Sequence, residues 1–175
     1  MRRKLSALSM LPAFLLGACQ EHGTEARLRS AADVVGAEYK LTADWMDTSF
    51  QSRDANTMIV ERKRGTPLRY ELQEPEHCVF RFTVEAGTSD AQVTTADLNK
   101  LNRLEVAPTM SGNSGIIYLA SSEANTVEVH SRYGTQKSNK VRLNNLQPAQ
   151  IDAFLSKVAE FQEKFCGIKV QIPGS

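Results

Sequence analysis

Residues 148–166 carry the pattern that most restricts the fold. At about 100° per residue, Ile151, Phe154, Leu155, Val158, Phe161 and Phe165 fall within an arc of about 120°. Asp152, Ser156, Glu160, Glu163 and Lys164 occupy the opposite side. A helix with one such face must bury it against another element. Pro148 pre-sets the first turn, and Gly167 supplies a stop. Cys166 sits beside the apolar arc. Gln162 falls inside it, either as a buried polar group with a partner or as a long side chain reaching outward.

The surface that this helix needs is supplied upstream. Cys78, Phe80, Phe82 and Val84 alternate with Val79, Arg81, Thr83 and Glu85, the period-two signature of a half-buried strand. Leu68 to Leu72 alternates in the same way. Further strand-type runs occur at 58–60, 104–106, 116–119, 126–132 and 141–143. Gly- and Pro-bearing turns separate them at 62–67, 111–115 and 133–135, and Pro75 marks a break. Thr94 or Thr95 is expected to cap a short turn through Asp97 and Leu98. A first helix is expected from about residue 24 to Val35, with Leu28, Ala31, Ala32 and Val35 on one side. Residues 37–56 show no clean period. Strands in the middle and helices at the ends predict an α+β fold. The expectation is an antiparallel meander packed by the C-terminal helix, plus an N-terminal helix, in one domain over 25–175.

The amino terminus differs in kind. Arg2, Arg3 and Lys4 precede an apolar stretch from Leu5 to Ala18, with no acidic residue before Cys19. About fourteen apolar residues are too few for a bilayer core, which takes roughly 20. The pattern predicts an export signal over residues 1–18. It ends Leu15-Leu16-Gly17-Ala18-Cys19, an aliphatic residue and two small ones before a cysteine. This resembles the lipobox of bacterial lipoprotein precursors. The resemblance implies a lipid thioether on Cys19, cleavage before it, and a short tether over 19–24. One acyl chain binds a membrane reversibly, and further chains make the anchoring stable. Gln20, where an Asp resembles an inner-membrane retention signal, points to the periplasmic face of the outer membrane in a diderm cell.

With Cys19 assigned to lipid, Cys78 and Cys166 remain. Two thiols in an exported chain are expected to pair, because that compartment is oxidising. The loop closed spans about 90 residues, on the order of 4 kcal/mol in the chain-entropy model. Two alternatives stand beside this. Cys78 could be a nucleophile beside His77, although strand neighbours point to opposite faces. A metal site is the other, without any Cys-x-x-Cys or His-x-x-x-His spacing to support it.

The formal net charge is +1, and removing residues 1–18 leaves 18 basic against 20 acidic residues. A domain with net charge −2 lacks the basic excess of a nucleic-acid binder. There is no Gly-x-Gly-x-x-Gly, phosphate loop or Gly-x-Ser-x-Gly motif. The histidines are His22, His77 and His130. His130 reads as a solvated residue on a sheet face. Arg62-Lys63-Arg64 reads as a solvated hairpin tip, with contact to anionic headgroups as the alternative. Trp45, Met46 and Phe50 are expected in the core rather than in an exposed patch. No cofactor or metal is expected. The sequence thus predicts a membrane-anchored envelope lipoprotein with a non-catalytic binding or structural domain and an envelope protein as partner. A carrier of a small apolar ligand, held in a cleft between sheet and helix, is the alternative. A Cys/His-dependent enzyme is a weaker one.

Overall fold

The computed structural model describes residues 17–42 and 44–174, with side chains from residue 25 onward. Residues 1–16 of the leader expected over 1–18, and the side chains of Cys19 and His22, lie outside the described residues. The chain is α+β: among the described residues ten strands run between two helices, α1 (Gly17–Val35) and α2 (Pro148–Phe161). Within the described residues the backbone is helical from Gly17 on, ahead of residue 24, so α1 includes the stretch read as a tether.

Five strands follow as antiparallel neighbours: β1 (Thr48–Asp54), β2 (Thr57–Arg62), β3 (Leu68–Glu76), β4 (Val79–Val84) and β5 (Gln92–Asp97). The chain then leaves this sheet for β6 (Arg103–Pro108) and β7 (Gly115–Ala120). It returns with β8 (Val127–Ser131), which pairs with β5, and β9 (Gly134–Ser138), which forms the far edge. Finally β10 (Lys140–Leu146) crosses over to pair with β7. The result is a seven-stranded sheet, β1-β2-β3-β4-β5-β8-β9, and a three-stranded sheet, β10-β7-β6.

The alternation read from β4 is the alternation observed. Phe80 and Phe82 are buried, while Arg81 is exposed. Their cross-strand partners are Ala96 and Thr94 on β5, and Leu72 lies opposite Phe82 on β3. Onto this face α2 lays Phe154, Leu155, Val158 and Phe161, with the Phe80 and Phe161 rings 6.1 Å apart. Leu28, Ala31, Ala32, Val34 and Val35 of α1 join the same core. Gly115 permits close packing there, because a Cβ on it would lie 2.8 Å from Val106 Cγ1 and 2.9 Å from Ile151 Cδ1. After α2 a single π-helical turn, Gln162–Cys166, leads to Gly167 at φ 68°, a left-handed stop suited to glycine. The tail then runs beside β6. Gln171 N–H donates to Asn102 O, and Leu104 N–H donates to Gln171 O, which covers part of a sheet edge.

Several expectations need correction. Thr94 and Thr95 cap no turn; they lie within β5. Pro75 lies inside β3, at the irregularity between Gln73 and Glu76, where a missing N–H interrupts no regular pairing. The structure also places β1 in the stretch without a clean period, and β9 directly after the turn at Tyr133. Both are edge strands of the large sheet. Trp45 and Met46 are not in the core: they are 39% and 65% exposed, with Lys40 Nζ 4.6 Å from the Trp45 ring centroid. Phe50 is half-buried against the core.

Candidate functional site

Cys78 and Cys166 are joined by a disulfide, S–S 2.04 Å, across a sequence separation of 88. Cys78 occupies the tight turn between β3 and β4, at φ 56°. Its N–H donates to Glu74 Oε1 at 2.8 Å. The other carboxylate oxygen of Glu74 accepts from Arg27 Nε at 2.6 Å, so the buried charge is paired and hydrogen-bonded. His77 is exposed, with Nδ1 4.0 Å from Glu74 Oε1. Glu74, His77 and Cys78 thus gather three groups of the kind that bind metals. With its sulfur bonded to Cys166, however, Cys78 has no thiolate to coordinate an ion or attack a substrate.

His130 is exposed on β8. Its Nδ1 lies 2.7 Å from Thr135 Oγ1, and its Nε2 lies 3.1 Å from Glu128 Oε1. Both ring nitrogens are therefore engaged by surface neighbours. In the basic triplet, Arg62 turns inward and donates to Tyr39 O at 2.9 Å and to Thr66 O. Arg64 pairs with Asp47 at 2.8 Å. Gln162 is fully buried within the apolar face of the last helical segment. Its Nε2 donates to the carbonyls of Leu98 and Leu101.

The feature with the makings of a binding site is a cleft of about 380 Å³ that sequence reading did not locate. It opens where the chain passes from β9 to β10 and so changes sheets. One wall is the inner surface of the large sheet, with Phe82, Val84, Val127 and Val129. The other is β10, with Val35 at the end of α1 closing one side. Such a volume lies toward the lower end of the range of small-molecule sites, ~300–1,000 Å³. The ligand-carrier alternative places its cleft between sheet and helix. At α2 the structure has a groove of about 140 Å³, and it lies between α1 and α2. Two larger depressions, of about 550 and 510 Å³, lie among mostly exposed side chains at hairpin ends.

Polar groups converge on the apolar cleft. Glu38 and Tyr39 come from the 3₁₀ turn Ala37–Tyr39 that follows α1, Tyr70 from β3, and Lys140 and Arg142 from β10. Arg142 Nη2 lies 3.0 Å from Glu38 Oε1. Burial raises the Glu38 carboxyl above its usual value, and Arg142 only partly offsets this. Tyr39 and Tyr70 stand with ring centroids 5.7 Å apart. Burial raises both phenols further, with the Glu38 charge adding to the effect, so both stay protonated as hydrogen-bond donors. Local sequence carries almost no sign of this site, whose members run from position 35 to position 142.

No family model matches the chain, and neither a curated protein nor a solved structure does. Among the described residues, no helix is long and apolar enough to cross a membrane.

Proposed function

We propose that this chain is a lipid-anchored protein of the cell envelope, held to the membrane through Cys19, whose domain binds rather than catalyses. The observation that carries this reading is the Cys78–Cys166 disulfide. A buried structural disulfide suits an exported chain, since cytosolic thiols are kept reduced. It also uses the two other cysteines, leaving Cys19 for lipid. The lipobox-like Leu15 to Cys19 run supports the same assignment. The proposed location is the periplasmic face of the outer membrane in a diderm cell, with an envelope protein or a small molecule as partner and no nucleic acid.

Fractionation tests the anchor. Cys19→Ser is expected to leave the membrane pellet after a carbonate wash. Retention of that variant in the pellet overturns the lipoprotein reading. A second reading concerns what the domain binds. The cleft between β10 and the large sheet favours a small ligand with an apolar body over a purely structural role. Native mass spectrometry of protein purified from cells is expected to show a retained mass that is lost on denaturation.

A further inference from the structure

The cleft has a polarity as well as a size. Lys140 and Arg142 stand two apart on β10 and both line its mouth. Glu38 is the one carboxylate in its wall, and burial disfavours that charge. Each cation already has one acidic neighbour: Glu38 for Arg142, and Glu105, outside the cleft, for Lys140 at 3.2 Å. A guanidinium offers five N–H donors and an ammonium three, so each keeps capacity for another acceptor. Tyr70 adds a donor. It is only 6% exposed and lines the cleft, and among the described residues no group hydrogen-bonds its hydroxyl. The hydroxyl is not among the buried unpartnered atoms, so it reaches the open space of the cleft and can donate to a bound acceptor there. Within the lining itself two cations stand against one carboxylate, around walls of valine and phenylalanine.

We propose that the cleft binds a small monocarboxylate with an apolar body. The carboxylate faces Lys140, Arg142 and the Tyr70 hydroxyl, and the body lies against Phe82, Val84 and Val129. This rests on the small-ligand reading above and adds the charge of the ligand to it. Two cations on one strand and a neutral donor offer partners for the two oxygens of a carboxylate, and charge-assisted hydrogen bonds are the strong ones. An amine of the same shape meets like charge and finds only Glu38, already paired.

The test is saturation-transfer NMR on the full chain in lipid nanodiscs, with empty nanodiscs subtracted. The probes are octanoate, octanol and octylamine. Octanoate is expected to bind at least tenfold more tightly than the other two. Lys140→Gln leaves the Glu38–Arg142 pair in place and is expected to weaken octanoate binding severalfold, with octanol unchanged. Val84→Trp, which fills the cleft, is expected to abolish binding, with an unchanged circular dichroism spectrum as the check on folding. If octanol or octylamine binds as well as octanoate and Val84→Trp abolishes this, the cleft is a binding site but the carboxylate assignment is overturned. If octanoate binds equally well to folded Val84→Trp, the assignment to this cleft is overturned. If none of the three binds, the small-ligand reading itself falls with it.

Discussion

Gln162 Nε2 donates to Leu101 O at 2.7 Å, from a position inside the apolar face of the last helical segment. The same nitrogen reaches Leu98 O at 3.1 Å, so one side chain pins the turn after β5 to the helix. Leu98 O also accepts from Leu101 N–H, whereas Leu101 O faces Gln162. Gln162→Met keeps the length of the side chain but strands that carbonyl. Leaving one buried acceptor unpaired costs about 1–3 kcal/mol. Gln162 Oε1 is itself buried without a partner among the described residues, so its removal offsets part of this cost. Chemical denaturation is expected to show a loss of about 1 kcal/mol, with Gln162→Ala worse because it adds a cavity.

The disulfide links the turn before β4 to the end of the helical segment, across the core. Its contribution in the chain-entropy model is about 4 kcal/mol for a loop of this length. Cys78→Ser and Cys166→Ser are expected to lose similar stability, and the double variant little more than either single. Well-separated melting temperatures for the two singles would argue against a shared bond. Thiol titration of denatured, unreduced protein is expected to find neither cysteine free.

Arg27 and Glu74 couple α1 to the same turn. The Glu74 side chain is 2% exposed and that of Arg27 is 22% exposed. Removing one partner of a buried pair typically costs about 3–5 kcal/mol, because the other charge is stranded. Arg27 keeps some solvent, so Arg27→Ala is expected to lose on the order of 2–3 kcal/mol. Arg27→Ala together with Glu74→Gln is expected to recover part of that loss in a double-mutant cycle.

Acid stability offers a fourth check, through Glu105. Burial opposes its charge, but hydrogen bonds and attraction from Arg103 and Lys140 outweigh this and hold the carboxyl below its usual value of 4.5. Its folded value therefore lies below its unfolded one. Ionised Glu105 contributes stability above the unfolded value, and that contribution is lost as pH falls through the folded one. Melting temperatures are expected to fall more steeply for the wild type than for Glu105→Gln from about pH 5 downward, and to converge at the acid end.

Elements that bury one face were legible in the sequence, because burial leaves a local period. The alternation of 78–84 and the helical arc from Ile151 to Phe165 each describe one face of one element, and a window of a few residues contains it. β1 and β9 were not legible for the converse reason. Gln51 to Asp54 and Gly134 to Lys137 are exposed, so no hydrophobic alternation marks them. Their hydrogen bonds to β2 and β8 make them strands. Thr94 and Thr95, turn-like in isolation, are held extended by β4 and β8 on either side.

By itself, the sequence determined the α+β class, the faces of its best-patterned elements and the even count of cysteines left once Cys19 is assigned to lipid. The tertiary structure alone decided that β8 pairs with β5 and β10 with β7, and that Gln162 meets the carbonyls of the turn after β5. It also decided that Glu38, Tyr70, Lys140 and Arg142 share one cleft. Periodicity reports whether a side chain faces inward. It does not report which distant segment waits there, because pairing is settled by the packing and hydrogen-bond satisfaction of the whole core at once.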